Sequence, residues 1–392
     1  MMTFLLIMTV GSLLVPIYVY FGYPAALWLI TRHYPSQTHR RAEITPSVTL
    51  VISCYNEVAV IREKLANALA LAYPREQLQV VVVSDGSDDG TDDIVRAHAG
   101  QGVLLVRQEG RLGKTMGLNL ALEQATGDIV VFSDANAMYA PDAIEKLVRN
   151  FADPDVGYVV GAALYTDGES GASARNENLY WRYEIAIKQM ESRLHSVVGG
   201  DGAIYAIRRE LWEPLQQKDI NDFVNPLQIV AMGYRGVFDA QARCFEETAG
   251  NFAGEIARKE RIVNRSIRGL VRVRSTLNPF RVGVFAWQVV SHKLLRWLIP
   301  LFLLIAVAGA AVLALAGFRL FQLVALAAAV ILALALAGHF SRDKNNLPAP
   351  ISIPYYFVMV NLYALRGIVK AFRGKTQVTW HSARPARERE QG

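Results

Sequence analysis

At 392 residues the chain is longer than one ordinary soluble domain needs, and 52% of it is hydrophobic against 19% charged. That balance excludes a disordered or low-complexity protein. The apolar excess gathers in one N-terminal block and two blocks near the C-terminus, which excludes a fully soluble cytosolic protein. The net charge of +6 is concentrated after residue 257, beside the apolar blocks. Its expected partner is therefore the headgroup layer of a lipid bilayer, and no nucleic-acid-binding signature is present. Cys54 and Cys244 are too few for a disulfide framework, lack zinc-ligand spacing, and fit a reducing compartment.

In chain order, Phe4 to Ile30 carries no charge and exceeds the roughly 20 residues a helix needs to cross hydrocarbon. It lacks the basic start and shorter apolar run of a signal peptide, so it reads as an uncleaved anchor. Arg32, His33, His39, Arg40 and Arg41 follow it, and positive flanks face the cytoplasm. From about residue 45 to 255 strand-like and helix-like patterns alternate. Ser47–Ser53, Leu78–Ser84, Val103–Arg107 and Asp128–Ser133 are Val/Ile-rich runs suited to strands buried on both faces. Val60–Leu71 and Gly113–Ala125 have helical spacing between them. The order predicts an α/β domain with a mostly parallel sheet and helices on both faces.

Ligands bind beyond the carboxyl ends of such strands. The polar clusters fall there: Tyr55-Asn56-Glu57 after the first strand, Asp85-Gly86-Ser87 after the second, Asp134-Ala135-Asn136 after the fourth. Each alone is ordinary turn chemistry, and Asp134 could merely cap a helix; together, at one end of successive strands, they mark a site. Gly110 to Thr115 looks like a nucleotide-triphosphate loop, but the glycine that motif needs at position 108 is Gln108. Lys114 still points to an anionic ligand.

Downstream, Ile256 to Ser275 carries seven basic residues, with Ile256, Val263, Ile267, Leu270 and Val271 at near-helical spacing. It reads as an amphipathic helix on the inner membrane face. Leu298–Phe318 and Leu320–Gly338, split by Arg319, read as a transmembrane hairpin. The expected organisation is an anchor over 1–32, the α/β domain over 45–255, interfacial helices over 256–297, the hairpin over 298–340, a third hydrophobic segment over 351–372, transmembrane or re-entrant, and a basic tail over 373–392. Three or four crossings stay open, because a fourth would put the basic tail outside, against the charge rule.

Taken in order, these motifs resemble those of membrane-embedded family 2 glycosyltransferases, relatives of cellulose, chitin and hyaluronan synthases. The resemblance covers roughly residues 47 to 297 and implies a GT-A fold, a Rossmann-like nucleotide-sugar domain flanked by transmembrane helices. It implies that Tyr55, Glu57, Asp85, Lys114 and Asn119 bind the nucleotide sugar. Asp134 and Asn136 stand where the family has Asp-x-Asp and would hold Mg2+ or Mn2+; the second position here supplies an amide oxygen and no charge. Gly200 and Asp201, in Gly199-Gly-Asp-Gly202, resemble the loop lining the acceptor. Asp222, in Asn221-Asp222-Phe223, occupies the place of the general base, with capping of a helix over Phe223–Met232 as the alternative. Arg258 and Arg261 stand in the place of Gln-x-x-Arg-Trp, with Ile262 where the Trp would be, and would stabilise the leaving diphosphate.

The function this implies is inverting transfer from a nucleotide-diphosphate sugar, expected to be a UDP-sugar, to a growing polysaccharide at the inner (plasma) membrane, with the catalytic domain cytoplasmic. Two alternatives are single transfer to a lipid-linked acceptor and a catalytically weak subunit that binds nucleotide sugar within a synthase complex. The resemblance leaves room for partner subunits.

Overall fold

A computed structural model describes residues 1–33, 39–166, 172–247, 252–341 and 348–376, with the side chains of 165–166, 172–180, 247 and 252–257 left aside. Five of the arginines and lysines read as flanks or tail, Arg342, Lys344, Arg384, Arg387 and Arg389, lie outside the described residues. The chain divides into two compact units. One comprises Met1–Ala26, Phe252–Ile267 and Val290–Thr376, the other Leu27–Asn251 and Arg268–Val289.

The second unit is built on one eight-stranded sheet: β1 (Val48–Cys54), β2 (Leu78–Ser84), β3 (Val103–Arg107), β4 (Ile129–Asp134), β5 (Met138–Tyr139), β6 (Val156–Thr166), β7 (Tyr205–Arg208) and β8 (Arg235–Glu247). The strand order is β3-β2-β1-β4-β7-β6-β8-β5. The first four strands are parallel and lie within a residue or so of the expected runs. β1, β2 and β4 are continuous apolar runs because both their faces are covered, and every residue of β1 is buried; β3, at the edge of the sheet, departs from the expected burial, with only Val103 buried. On one face Val48, Leu50, Ile52 and Cys54 pack with Ile61, Leu65 and Ala68 of the helix Ile61–Leu69. On the other, Gly117 brings the helix Lys114–Gln124 so close to β2 that an added Cβ would meet Val83 at 2.9 Å.

The sheet is mostly parallel, as expected: β6 and β8 pair in parallel and run with β1 to β4, while β7, antiparallel to both β4 and β6, and β5, antiparallel to β8, make it mixed. The reversal of β7 lies in its connection. Between β6 and β7 the chain runs through the helix Ala172–Leu194 and re-enters the sheet beside β4 from the opposite end. Phe132 of β4 faces Tyr205 of β7 in register, with the rings stacked at 4.6 Å. An antiparallel neighbour begins where its partner ends, so the loop before β7 is delivered to the carboxyl end of β4.

Three stretches of helix among the described residues are long and apolar enough to cross a membrane: Met2–His33, whose last residues belong to the second unit, Val284–Leu315, which begins in the second unit, and Arg319–Phe340. Thr9 meets Gly309, and Leu5, Leu6 and Leu13 pack with Ala310, Leu313 and Phe321, so the N-terminal helix lies against the hairpin. The segment 351–372 forms one helix, Ala349–Phe372, and is not among those three. Its Ala364 and Ile368 pack against Val263 and Ile267 of the amphipathic helix Phe252–Arg272 and against Trp297 and Leu298. Lys370 and Arg366 ion-pair with Glu260 of the amphipathic helix, Arg366 at 3.8 Å.

Candidate active site

The site is assembled from the carboxyl ends of β1, β2 and β4 and from the loop that β7 delivers to them. The register aligns Cys54 with Ser84 and Ser53 with Asp134, so residues 55–57, 85–87 and 134–136 leave the sheet at one edge. The first two loops are knitted together. Asn56 N–H donates to Ser87 Oγ (3.1 Å), Glu57 N–H to Thr91 Oγ1 (2.9 Å) and Val58 N–H to Asp89 Oδ2 (3.0 Å).

Asp85 is buried directly after β2. Its Oδ1 accepts from the backbone N–H groups of Leu112 (3.0 Å) and Gly113 (2.9 Å) and from the Gln108 side chain. The Gly110–Thr115 loop therefore spends its amides on a carboxylate of the chain itself, the opposite of a loop that cradles phosphate, and Gln108 completes that grip. Burial pushes the Asp85 carboxyl above its ordinary value, and these hydrogen bonds and the nearby Arg111 pull against it. Asp85 Oδ2 is buried without a hydrogen-bond partner among the described residues, as are Nε and Nη2 of Arg111. The Arg111 guanidinium lies 3.7 Å over the Tyr55 ring. An acceptor, two donors and a flat cation–ring stack thus sit together with polar capacity to spare, which buried groups rarely leave unused. Asn119 is placed differently. Its side chain donates to Leu215 O (2.8 Å) and accepts from Leu215 N–H (3.0 Å), so both amide atoms hold the 214–220 loop.

Lys114, the first residue of its helix, ion-pairs with Asp134 at the end of β4. Asn136 is two residues on, in the turn that Ala137 N–H closes onto Asp134 O at 3.2 Å. Beneath this turn Lys64 is fully buried, donating to Ala137 O and lying 4.3 Å over the Tyr139 ring. Burial lowers its pKa to about 8.

The 198–204 loop is packed onto the start of the helix Asn221–Ala231. Gly200 N–H donates to Asp222 O at 2.5 Å, and a Cβ on Gly200 would meet that oxygen at 3.1 Å. Asn221 Nδ2 donates to Tyr205 OH at 3.0 Å, which turns Asn221 into the core. Asp222 lies in the first turn of the helix, whose N-cap is Ile220, so it is not the capping residue. Gly202 marks where the two halves meet. A Cβ there would lie 3.3 Å from Asp222 Oδ2, 3.5 Å from Lys114 Nζ and 3.6 Å from Asp134 Oδ2. Only a glycine leaves that hollow open to a small polar ligand. Asp201, next to it, pairs with Lys188 at 3.0 Å.

Lys188 and Lys64 are the residues that sequence motifs missed. A lysine at helical spacing looks like a solvated one, and only the fold buries it. Arg258 and Arg261 stand one turn apart on Phe252–Arg272, in the part of that helix that belongs to the first unit.

The donor set suits a divalent cation on a diphosphate in part. Among the described residues no group of three or more His, Cys, Asp or Glu side chains converges on one point. Asp134 offers one carboxylate to the hollow, and Asn136 follows it two residues on in the same turn. A hard cation of the Mg2+ type is commonly held by one or two carboxylates plus substrate phosphates, and this set fits that pattern.

The α/β sheet, with its polar loops gathered at one edge, has the GT-A fold of glycosyltransferases. Residues 49–214 match the family described as Glycosyl transferase family 2. Poly-beta-1,6-N-acetyl-D-glucosamine synthase of Staphylococcus aureus (strain COL) is 33% identical over 116 residues, 29% of this chain and 28% of that protein. A probable glycosyltransferase of Bacillus subtilis is 31% identical over 136 residues, 33% of this chain and 32% of that one. The matched segments thus span about a third or less of these relatives. A mannosyltransferase from Pyrobaculum calidifontis, solved in complex with GDP-Man and Mn2+, is 26% identical with a TM-score of 0.69, over 94% of this chain and 99% of that one.

Proposed function

We propose that this chain transfers a sugar, with inversion at the anomeric carbon, from a nucleotide-diphosphate donor to an acceptor hydroxyl at the cytoplasmic face of the inner (plasma) membrane. The observation that carries the reading is the hollow at Gly202, where Asp134 Oδ2, Asp222 Oδ2 and Lys114 Nζ all lie within 3.6 Å of one point. One carboxylate addresses the donor and the other the acceptor. Tyr55, Glu57, Asp85 and Arg111 form the nucleoside end, and Asp134 with Asn136 would hold Mg2+ or Mn2+. That cation, when bound, supplies positive charge to the diphosphate.

Asp222 accepts the proton of the acceptor hydroxyl as its oxygen bonds to the anomeric carbon. The bond from that carbon to the diphosphate oxygen breaks on the opposite face, and its electron pair leaves with the nucleoside diphosphate. Lys114 is placed to meet the charge that develops there, and the resemblance assigns Arg258 and Arg261 the same task. Asp201 and Gly200 line the acceptor side.

A UDP-sugar is the expected donor and a growing polysaccharide the expected acceptor, in keeping with the partial likeness to poly-N-acetylglucosamine synthases. One observation favours a second reading, single transfer to a lipid-linked acceptor: Ile262 stands where the resemblance puts the Trp of polysaccharide synthases. The test is a panel of UDP- and GDP-sugars given to the membrane-reconstituted protein, with nucleoside diphosphate release and product size both read. Cation-dependent release with a ladder of products supports polymer synthesis, and one discrete glycolipid supports single transfer. Tight nucleotide binding with no release from any sugar would leave only the binding-subunit reading, whose support is that Asn136, and Asn221 just before Asp222, stand where the resemblance puts acidic residues.

A further inference from the structure

The helix Ala172–Leu194 buries a charged face. Glu184, Lys188 and Glu191 follow one another at the four- and three-residue steps that stack side chains on one side of a helix, and all three are buried. Burying an ammonium and carboxylates costs several kcal/mol per ion, and replacing such groups by apolar ones is often neutral or stabilising. A face of this kind therefore calls for a reason other than stability.

What it touches supplies one. Lys188 Nζ lies 3.0 Å from Asp201 Oδ2 and 5.8 Å over the Phe238 ring, with the residue only 8% exposed. Burial, the largest influence on Lys188, works against its charge, yet the carboxylates of Asp201, Glu184 and Asp222 together hold it above the ordinary lysine value. Asp201 in turn closes the turn before β7: its carbonyl accepts from Ile204 N–H at 3.0 Å. One helical turn further on, Glu191 Oε2 accepts from Val198 N–H at 3.0 Å. The same helix face thus grips the 198–204 loop at its start and at its middle, and that loop packs on Asp222 through Gly200.

We propose that Lys188 is a positioning residue for glycosyl transfer: through its ion pair with Asp201 it fixes the 198–204 loop against the start of the helix Asn221–Ala231 and so aims the Asp222 carboxylate into the hollow at Gly202. The catalytic part of this rests on the transfer reading above; the positioning part does not. Lys188 also sets a second cation beside the carboxylates that crowd the hollow, Lys114 serving Asp134 and Lys188 serving Asp201. The donor half and the acceptor half each carry their own counter-charge, so a negatively charged donor can enter one without unbalancing the other.

The test compares Lys188→Met, Lys188→Arg, Asp201→Asn and the double variant Lys188→Met/Asp201→Asn as full chains in detergent or bilayer. Hydrogen exchange reads the loop directly. Lys188→Met speeds exchange at the amides of residues 198–204 and leaves β1, β2 and β4 at the wild-type rate. Turnover falls about 10- to 100-fold, the scale on which supporting contacts act, while the donor KM stays within about twofold and Lys188→Arg recovers most of the loss. The double variant is no worse than either single one, because the two groups act as one pair. Wild-type exchange in the loop of Lys188→Met overturns the proposal whatever the turnover. Faster exchange spread across the whole sheet, with no recovery by arginine, overturns it in favour of a merely structural lysine. A wild type that turns over no nucleotide sugar would sink the transfer reading and leave the exchange result standing.

Discussion

The two halves of the sheet solve the same task by different means. From β1 to β4 the chain builds repeating strand–helix units, and each new parallel strand brings one polar loop to the same edge: residues 55–57, then 85–87, then 134–136. From β6 to β8 no such repetition occurs. One antiparallel strand, β7, is inserted next to β4, and the loop that precedes it arrives at the edge from the other direction. The first half makes a site by accumulation, the second by one reversal. The consequence is chemical. Asp134, the proposed donor-side carboxylate, ends a strand and is fixed by backbone pairing, whereas Asp222 lies in a helix start held by a loop, Asn221 on Tyr205 and Gly200 on the Asp222 carbonyl. In the proposed transfer, rigid geometry serves the grip on the diphosphate and adjustable geometry the entry and exit of acceptors.

The comparison breaks if the two halves fail separately from the roles given to them. The largest effect is expected at Asp134. Asp134→Ala removes the carboxylate facing the diphosphate and is expected to lower turnover by about 100- to 1,000-fold, the loss typical of one preorganised charged group. Mn2+ binding in the presence of nucleoside diphosphate, followed by electron paramagnetic resonance, should weaken alongside it. Unchanged Mn2+ affinity would remove Asp134 from the metal.

A smaller effect sharpens the rigid half. Lys64 lies under the Asp134 turn with its pKa lowered by burial to about 8 from an ordinary 10.5. Between those values the unfolded chain holds a proton that the folded one has released, so stability rises with pH through that window. Below about pH 8 the contribution is constant. Lys64→Met should abolish this rise, seen as wild type gaining in melting temperature relative to the variant between about pH 8 and about pH 10.5. Parallel pH curves for the two proteins would mean that Lys64 titrates in the fold as it does in the unfolded chain.

The smallest effect concerns Asn119. Asn119→Ala loses two hydrogen bonds to Leu215 and should cost about 1–2 kcal/mol of stability. Nucleotide affinity should change little if the side chain only holds the 214–220 loop. A tenfold loss of affinity would return Asn119 to the nucleotide.

How much of this was readable from the sequence follows the same division. β1, β2 and β4 were legible because strands buried on both faces are unbroken Val/Ile runs and their helices are short and periodic; β3, a part-exposed edge strand, was legible from its short Val/Leu run alone. The acidic and basic residues at their ends were legible because parallel topology puts all such ends on one edge. β6 and β8 were not read, although Val156–Thr166 and Arg235–Glu247 are long, because neither lies in a repeating strand–helix pattern. The antiparallel β7 is only four residues, and nothing local in Tyr205-Ala-Ile-Arg208 says that its partner is β4. The Gly-Gly-Asp-Gly motif was visible, but not that its last glycine would sit between Asp134 and Asp222. Lys188 and Lys64 were invisible for a different reason. Burial of a charge is decided by the neighbours that cover it, and these come from distant parts of the chain.

The most direct test of a shared hollow is Asp222→Asn, measured for turnover and for nucleoside diphosphate affinity in the same preparation. The substitution keeps shape and removes the base. Transfer should fall below detection, or by at least about 100-fold, while the nucleotide binds as in wild type. Near-normal turnover, or loss of nucleotide binding together with turnover, would contradict a base at 222 that meets the donor across Gly202.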